Sequence, residues 1–423
     1  MRIEQIELTN FRNFERATFR FPSLFTVVIG ENGRGKSALL QGLRLAAGYI
    51  LGVFKETKRL SIQIEDVRRI ELEKRFAPQF PSRILADGSF KKQNPFWVIG
   101  RYNNYSESFT NHPSLREIVE NLEHQINEEL REDVDLPVLC FFSTARLWVQ
   151  PKKDIPLKTK GSKIADGYAG CLDNESDKYT AFSWIKSNYY KSLKGQDDSL
   201  LRAVLEAISQ CVPNWTATEW EEDYDDLLGI YKHADGSETR MPLYYLSDGL
   251  RTMASIAAEI AYRCVILNDH HGVDAVKKSA GVVLIDELDM HLHPNWQRHV
   301  VSDLKTAFPN IQFVATTHSP FIVQSLDSTE LIDLDEPTDV RPKDLRVDEV
   351  SVEIMGVESP YAIDNQKAED LSVEYLKKLE TLGKNPQAPN DTEGELDQLE
   401  ANMSDPAMRA LLQMKRLEKT VNH

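Results

Sequence analysis

The chain has 423 residues, 41% of them hydrophobic and 27% charged, which is typical of a soluble globular protein long enough for two or three packed lobes. No apolar run approaches the ~18 residues that a membrane span requires, and Met1-Arg2-Ile3-Glu4 does not open a signal peptide, so we expect a cytoplasmic protein without membrane contact. The net charge of −16 disfavours a surface coated with nucleic acid but is compatible with a local basic groove.

The first predicted elements are paired strands within residues 1–30, which lead into a phosphate-binding loop. Phe25–Ile29 is an apolar, β-branched run that predicts a buried strand, and a helix is expected over Ala38–Leu51. Between them stands the pattern G-x-x-x-x-G-K-S, whose glycines let backbone N–H groups curl around phosphate oxygens. Its lysine reaches the β- and γ-phosphates, and its serine hydroxyl ligates Mg²⁺. We therefore predict an ATP and Mg²⁺ site with nucleotide contacts at Gly30, Asn32, Gly33, Gly35, Lys36 and Ser37.

The middle of the chain alternates helical and strand patterns. The predicted elements are a helix over Leu115–Leu130, a strand over Leu136–Phe142, helices over Tyr179–Leu193 and Asp198–Val212, and antiparallel strands over Trp215–Leu246. Asp235-Gly236 supplies a hairpin turn among these strands. Residues 150–165 are polar and Lys-rich and indicate a loop.

A second strand ends in two acids. Gly281–Ile285 is apolar and is followed directly by Asp286 and Glu287. Beside a phosphate-binding loop, Asp286 is placed to hold the Mg²⁺ shell and Glu287 to position or deprotonate the attacking water.

Two further sequence patterns carry candidate site residues. Ser247 and Gly249 lie in the run L-S-D-G-L-R just before a helical pattern, where a Ser-x-Gly turn offers a hydroxyl and free N–H groups to an anion. The alternative is a serine that simply caps its own helix. Ile311–Thr317 then predicts another buried strand, and it ends at His318.

In chain order the four motifs are the P-loop, L-S-D-G-L-R, V-V-L-I-D-E and T-T-H-S-P. In this order they resemble the motifs of the ABC-type ATPase heads of the RecF, SMC and OLD group. Leu8–Phe14 is similar to the N-terminal strand pair of that group, and Glu287–Pro294 to its E-x-x-x-H-L-H-P run. More narrowly, Leu136–Trp148 and the short helical C-terminus resemble the compact bacterial ATPases that include PtuA of Septu-type antiphage systems, retron-linked systems among them.

The resemblance implies an α/β fold, an ABC-type P-loop ATPase head of two lobes. In it a mixed sheet carries flanking helices, with a helical insertion and a short helical C-terminal tail. The implied domains are lobe I with the P-loop (1–150), the helical insertion with antiparallel strands (151–240), lobe II with the signature, the acidic strand end and the histidine (241–345), and the tail (346–423).

In such heads the signature cannot reach the P-loop of its own chain, so two copies pair head to tail. The resemblance thus implies Ser247 and Gly249 acting in trans, Glu287 as catalytic base, and His318 as a sensor of the γ-phosphate. Lys36 also belongs to the catalytic set, and Arg12 approaches the nucleotide from the N-terminal strand pair. The implied partners are a second copy or a higher homo-oligomer, a separate HNH-type nuclease, and DNA.

Three alternatives stand beside an antiphage ATPase: a RecF-like repair ATPase without a dedicated effector, a single-chain nuclease of OLD type, and a transporter ATPase. The sequence also departs from the group. It has no heptad arms for a long coiled coil, and Asp248 stands where many ABC proteins have glycine. Gln150 and Gln63 are both candidates for the glutamine of the Q-loop.

Other polar groups have both a functional and a structural explanation. Asp289, His291 and His293 could bind a metal, but a strand-to-helix connection explains them as well, with Pro294 opening the helix. The acidic run Glu219–Asp226 could bind a basic partner or divalent ions, and a solvated strand edge explains it as well. The candidate basic contacts to nucleic acid or to a partner, with a solvated loop as the alternative, are Lys152, Lys153, Lys158, Lys160, Lys163, Arg68 and Arg69.

The remaining predictions concern the cysteines and the C-terminal segment. The cysteines (Cys140, Cys171, Cys211 and Cys264) are isolated, which favours buried thiols over a zinc hook or disulfides. Helices are expected at 366–382 and 405–420, separated by a break at 383–394. The last helix spaces its apolar residues for docking on a partner, on a sister subunit or on its own lobe.

Overall fold

The computed structural model describes residues 1–72, 75–104, 109–110, 113–144, 162–174, 180–335, 340–357, 371–379, 391–402 and 412–416. The chain divides into two compact units, Met1–Val350 and Ser351–His423. The finer domain boundaries expected from the sequence stay predictions. Over the described ranges, no helix combines the length and apolar character needed to cross a membrane. Gln150 and all the candidate lysines except Lys163 lie outside the described residues.

Strands and helices alternate through the first unit. The strands are β1 (Arg2–Phe11), β2 (Phe14–Arg20), β3 (Phe25–Ile29), β4 (Arg69–Leu72), β5 (Arg75–Pro78), β6 (Ser82–Ser89), β7 (Phe96–Arg101), β8 (Phe109–Thr110), β9 (Val138–Phe142), β10 (Trp215–Glu221), β11 (Asp226–Lys232), β12 (Glu238–Pro242), β13 (Gly281–Ile285), β14 (Ile311–Thr316) and β15 (Leu331–Asp333). The helices are α1 (Lys36–Ala47), α2 (Pro113–Asn127), α3 (Lys163–Tyr168), α4 (Thr180–Ser192), α5 (Ser199–Cys211), α6 (Asp248–Leu267), α7 (Ala275–Lys278), α8 (Pro294–Gln297), α9 (Val300–Ala307), α10 (Pro320–Gln324) and α11 (Val347–Glu349).

A parallel sheet forms the centre of this unit, in the order β15-β3-β14-β13-β9. Its strands β3, β9, β13 and β14 are buried along their whole length, because helices cover both faces of such a sheet and their residues are apolar almost throughout. The carboxyl ends of parallel strands meet at one edge of the sheet. The motifs that follow β3, β13 and β14 therefore come together although they are far apart in the chain.

An antiparallel sheet, ordered β2-β1-β6-β7-β8, lies against the parallel one. The buried side chain of Gln312 in β14 joins them: it accepts a hydrogen bond from the Ile3 backbone N–H (2.8 Å) and donates one to the Ile3 carbonyl (2.7 Å). Gly42 of α1 also packs closely on Leu8 of β1, because a Cβ there would lie 2.8 Å from the leucine Cδ2. These contacts fix the turn between β1 and β2 over the phosphate-binding loop.

The helical and antiparallel elements expected in the middle of the chain are confirmed. Helices α4 and α5 fall within one residue of the predicted bounds, and β10, β11 and β12 form a three-stranded antiparallel sheet. The helix after the phosphate-binding loop is shorter than expected: α1 ends at Ala47, and a 3₁₀ segment, Gly48–Gly52, continues it. The prediction of an α/β fold with flanking helices is confirmed, with the parallel and antiparallel strands in separate sheets.

The second unit has its own small core. Its buried side chains are Tyr375, Leu379, Leu396, Leu399 and Leu412. They lie on helices at 371–379, Asp391–Asn402 and 412–416. The expected break at 383–394 is wrong at its end, since a helix begins at Asp391. Leu412 packs inside this core and Met414 is 63% exposed; Met408, Leu411 and Leu417 of the expected docking face lie outside the described residues.

Candidate nucleotide site

One cleft gathers the predicted site residues. It has a volume of about 240 Å³ and lies at the carboxyl edge of the parallel sheet. It is lined by Arg12, Asn13, Asn32, Gly33, Gly35, Lys36, Ser37, Ala38, Asp286, Glu287, Thr316 and His318. Three separate strand ends thus contribute to a single surface.

The phosphate-binding loop is held in a conformation that only glycine tolerates. Gly35 has a φ of +112°, and a Cβ at this position would lie 2.6 Å from Cζ of Phe14. Lys36 donates from Nζ to the carbonyls of Gly30 (2.6 Å) and Glu31 (3.1 Å). Burial lowers the pKa of the Lys36 ammonium, and nearby carboxylates, that of Asp335 foremost, act in the opposite direction. A triphosphate would add negative charge beside this ammonium and so offset the cost of its burial.

The two acids after β13 are organised by a buried threonine of β14. Thr316 donates from Oγ1 to Oδ1 of Asp286 (2.7 Å) and accepts from the backbone N–H of Glu287 (2.8 Å). Ser37 donates to the other carboxylate oxygen of Asp286 (3.2 Å). Glu287 has a φ of +58°, so its backbone turns sharply out of the strand direction. The metal-site residues predicted from the sequence, Ser37 and Asp286, are therefore direct neighbours.

His318 reaches the cleft from the end of β14 and is exposed there. Its backbone N–H donates to Oδ1 of Asp289 (3.2 Å), and the same oxygen accepts from the hydroxyl of Thr317 (2.6 Å). Asp289 thereby ties the segment after Glu287 to the segment that carries the histidine.

The turn between β1 and β2 supplies the opposite wall. Arg12 lines the cleft and is held by the buried carboxylate of Asp66, with Nε 2.9 Å and Nη2 2.8 Å from Oδ1. Asn13 donates from Nδ2 to the carbonyl of Gly33 at 2.6 Å. The N-terminal strands thus contact the phosphate-binding loop directly.

The signature lies apart from this cleft. Ser247 is exposed at the N-terminus of α6, and its side chain makes no capping hydrogen bond. Gly249 packs under the backbone of the segment after Glu287, since a Cβ there would lie 2.2 Å from the carbonyl oxygen of His291. Neither residue lines the cleft of its own chain as the described residues define it.

Several of the other candidates have structural partners. His293 accepts from the backbone N–H of Asn295 (3.2 Å) and caps α8, as expected of a strand-to-helix connection. Lys163 pairs with Asp269 (3.0 Å), and Arg68 pairs with Glu15 (3.2 Å). In the acidic run, Arg240 pairs with Glu219 and Lys186 with Asp225 (2.6 Å). Gln63 lies outside the lining of the cleft. All four cysteines are buried free thiols, as predicted.

Sequence reasoning missed four residues of this site: Asn13, Asp66, Thr316 and Asp335. Asn13 and Thr316 stand inside the recognised motifs, so their positions carried a signal. Asp66 and Asp335 stand outside every motif. Asp335 accepts from the backbone N–H of Glu31 (2.6 Å) across 304 residues, and it follows β15, the strand beside β3.

The chain is similar to two protein families and to several known proteins. The family described as "AAA domain" matches residues 5–211, and the family described as "AAA domain, putative AbiEii toxin, Type IV TA system" matches residues 154–324. The chain is 24% identical over 387 residues to the Retron Vc95 probable ATPase of Vibrio cholerae serotype O1 biovar El Tor, covering 78% of this chain and 73% of that protein. It is 26% identical over 340 residues to the Septu protein PtuA of Bacillus mycoides (strain KBAB4), covering 78% of this chain but 40% of that protein. An SMC head solved with the C-winged helix domain of ScpA aligns over 79% of this chain and 94% of its own, with 15% identity and a TM-score of 0.47.

The parallel sheet, the cleft at its carboxyl edge and the AAA matches identify this chain as a P-loop ATPase. Within that class it is similar, at family level, to retron probable ATPases and to Septu protein PtuA. The resemblance drawn from the sequence motifs is confirmed.

Proposed function

We propose that this ATPase works as a head-to-tail pair, and that ATP-dependent engagement of the two heads regulates a nucleic-acid-directed effector in an antiphage complex. The observation that carries the proposal is the separation of the signature from the cleft. Ser247 presents an uncommitted hydroxyl at an exposed helix N-terminus, outside the cleft of its own chain. A second copy turned by a two-fold axis would close each cleft with the partner's signature.

Within each cleft the chain's own groups suit magnesium nucleotide chemistry. Ser37 and Asp286 offer hydroxyl and carboxylate oxygens 3.2 Å apart, the hard donors that Mg²⁺ prefers. When bound, the ion would neutralise charge on the phosphate oxygens. Lys36 would hold the β- and γ-phosphates, Glu287 would accept a proton from the attacking water, and His318 would contact the γ-phosphate.

Engagement of the two heads would couple the presence of the γ-phosphate to the conformation of the pair. Bound triphosphate adds contacts between the heads, and loss of the γ-phosphate removes them, so the nucleotide selects the closed pair. We place the output in a separate HNH-type nuclease subunit, with DNA as its target. The relatives, which are named as retron and Septu proteins, support the antiphage setting; the nuclease and DNA follow from the resemblance of the sequence motifs.

The test of the paired arrangement uses two defective variants. Ser247→Arg puts a bulky cation at the exposed signature and leaves the cleft of its own chain intact; Lys36→Ala disables the cleft and leaves the signature intact. Each variant alone should hydrolyse little ATP. In a mixed dimer one composite site carries both defects and the other carries neither. An equal mixture with free exchange of subunits should recover about a quarter of the wild-type sites.

Size-exclusion chromatography must show that each variant is folded and that, with ATP, the two variants associate with each other in the mixture. If the mixture of folded, associating variants stays inactive, the trans arrangement is wrong. Purification from the native host then tests the effector: a co-purifying nuclease supports the proposal. DNA cleavage by this chain alone, lost on mutation of its own site, contradicts it. An engaged pair without a nuclease partner would favour the RecF-like alternative.

A further inference from the structure

Two histidines and one aspartate converge far from the nucleotide cleft. His270 and His271 both direct Nε2 at the same carboxylate oxygen, Oδ1 of Asp135, at 3.0 and 2.7 Å. The imidazole centroids are 4.0 Å apart. All three candidate ligand atoms lie within 4.8 Å of one another. A cation bound by all three groups would bring two imidazole nitrogens and one carboxylate oxygen close together in this way.

The surrounding structure holds these side chains in place. His270 and His271 belong to the 3₁₀ segment Asp269–Asp274 that follows α6, and Asp135 lies just before β9. Asn268 links the two segments, accepting from the Leu136 backbone N–H (2.8 Å) and donating to the Leu136 carbonyl (3.0 Å). Asn268 is itself 1% exposed, so these two hydrogen bonds are shielded from water.

Exposure differs among the three groups in a way that suits a metal. The side chains of His270 and His271 are 15% and 23% exposed, so most of each ring is covered by the protein. The Asp135 side chain is 60% exposed, which leaves an open approach from solvent. The cluster therefore combines fixed nitrogen ligands with an accessible carboxylate.

We propose that Asp135, His270 and His271 form a binding site for a borderline divalent transition metal such as Zn²⁺, with water as the fourth ligand. Zinc–nitrogen bonds of ~2.0 Å place tetrahedral ligands roughly 3.3 Å apart. The two nitrogen–oxygen separations of 2.7 and 3.0 Å need only a small expansion to reach that value, and the two imidazole nitrogens lie within 4.8 Å of each other. Imidazole ligands select Zn²⁺, Co²⁺, Ni²⁺ or Cu²⁺, whereas Mg²⁺ prefers oxygen.

This site is separate from the nucleotide chemistry. Val138, at the amino end of β9, pairs with Gly281 at the amino end of β13, so Asp135 lies at the opposite edge of the sheet from Asp286. The far end of α6 carries Ser247, and a helix of 20 residues spans about 30 Å. A bound metal would join the C-terminal end of the signature helix to the segment that enters the sheet at β9.

Metal binding to the full-length, nucleotide-free protein tests the proposal. After treatment with a chelator, the protein is titrated with Co²⁺, whose visible spectrum distinguishes tetrahedral nitrogen and oxygen ligands from octahedral oxygen ligands, and then with Zn²⁺ in competition. We expect one tetrahedral site per chain. His271→Ala should weaken Co²⁺ binding by more than about 100-fold, because loss of outer-shell partners alone costs 10- to 100-fold.

His124→Ala is the matched control. His124 pairs with Glu129 at 3.4 Å but has no second imidazole beside it in that ion pair, so its loss should leave Co²⁺ binding unchanged. Zn²⁺ should also raise the unfolding temperature of wild type and His124→Ala but not of His271→Ala. If His271→Ala does not fold, Asp135→Asn replaces an exposed carboxylate and tests the same site. No stoichiometric binding by wild type, or equal binding by His271→Ala, would show two ordinary histidine–aspartate hydrogen bonds instead.

Discussion

The hydroxyl of Thr316 is the most informative single group to remove. It is 1% exposed, donates to Asp286 and accepts from the backbone of Glu287, so it connects the predicted metal-site carboxylate to the predicted base. Valine has almost the same shape but makes neither hydrogen bond. Thr316→Val therefore changes the network while leaving the packing of β14 intact.

The expected magnitude follows from these two bonds. A hydrogen bond to a charged group contributes about 1.5–3 kcal/mol, and one between neutral groups about 1 kcal/mol. Asp286 and Glu287 are partly exposed, so water recovers part of this loss. We expect the free energy of unfolding to fall by about 2 kcal/mol. We expect kcat for ATP hydrolysis to fall about 10- to 100-fold, the usual effect of losing a group that orients a metal ligand.

A second threonine provides the control. Thr26 lies in the neighbouring strand β3, is 0% exposed, and its hydroxyl has no hydrogen-bond partner among the described residues. Thr26→Val should leave hydrolysis unchanged and leave stability equal or higher, because an unsatisfied buried hydroxyl is removed. Steady-state hydrolysis and denaturant unfolding of both variants give the comparison. Equal kcat values for Thr316→Val and Thr26→Val would refute the reasoning.

Two further predictions concern the base and the second unit. Glu287→Gln keeps the size of the side chain and removes the base, so nucleotide binding should persist while turnover falls by ~10²–10⁴-fold; hydrolysis at the wild-type rate would end that assignment. Leu396→Ala removes a side chain that is fully buried in the C-terminal core, and it should lower the free energy of unfolding of that unit by about 2–5 kcal/mol. Hydrogen exchange over Asp391–Asn402 should rise while ATP affinity is unchanged, and Met414→Ala, at a 63% exposed position, should change neither.

Much of the nucleotide site was predictable because its signals are local. A glycine pattern after a buried strand specifies a loop of backbone N–H groups, whatever the rest of the chain does. Apolar runs that end in Asp286 or in Thr316 and His318 indicate parallel strands, and the carboxyl ends of such strands meet at one edge. The cleft that gathers Lys36, Asp286, Glu287 and His318 follows from those local patterns and this one rule.

The helix missed at Asp391–Asn402 shows where local signals fail. Its sequence mixes strong helix formers with a glycine, two aspartates and an asparagine, so local propensity does not decide the outcome. Burial of Leu396 and Leu399 and the ion pair between Asp397 and Arg416 stabilise it, and both depend on partners elsewhere in the chain.

The sequence by itself therefore determined the class of fold, the phosphate-binding loop and the two acids, because each rests on residues adjacent in the chain. Tertiary structure alone decided which distant groups meet. The order of the strands brings Asp335 into contact with the phosphate-binding loop, 304 residues earlier in the chain. The position at which α6 ends brings His270 into contact with Asp135. It also placed Ser247 outside its own cleft. No spacing encodes these contacts, since they depend on which strands pair and where each helix ends, and the packing of the whole chain sets both.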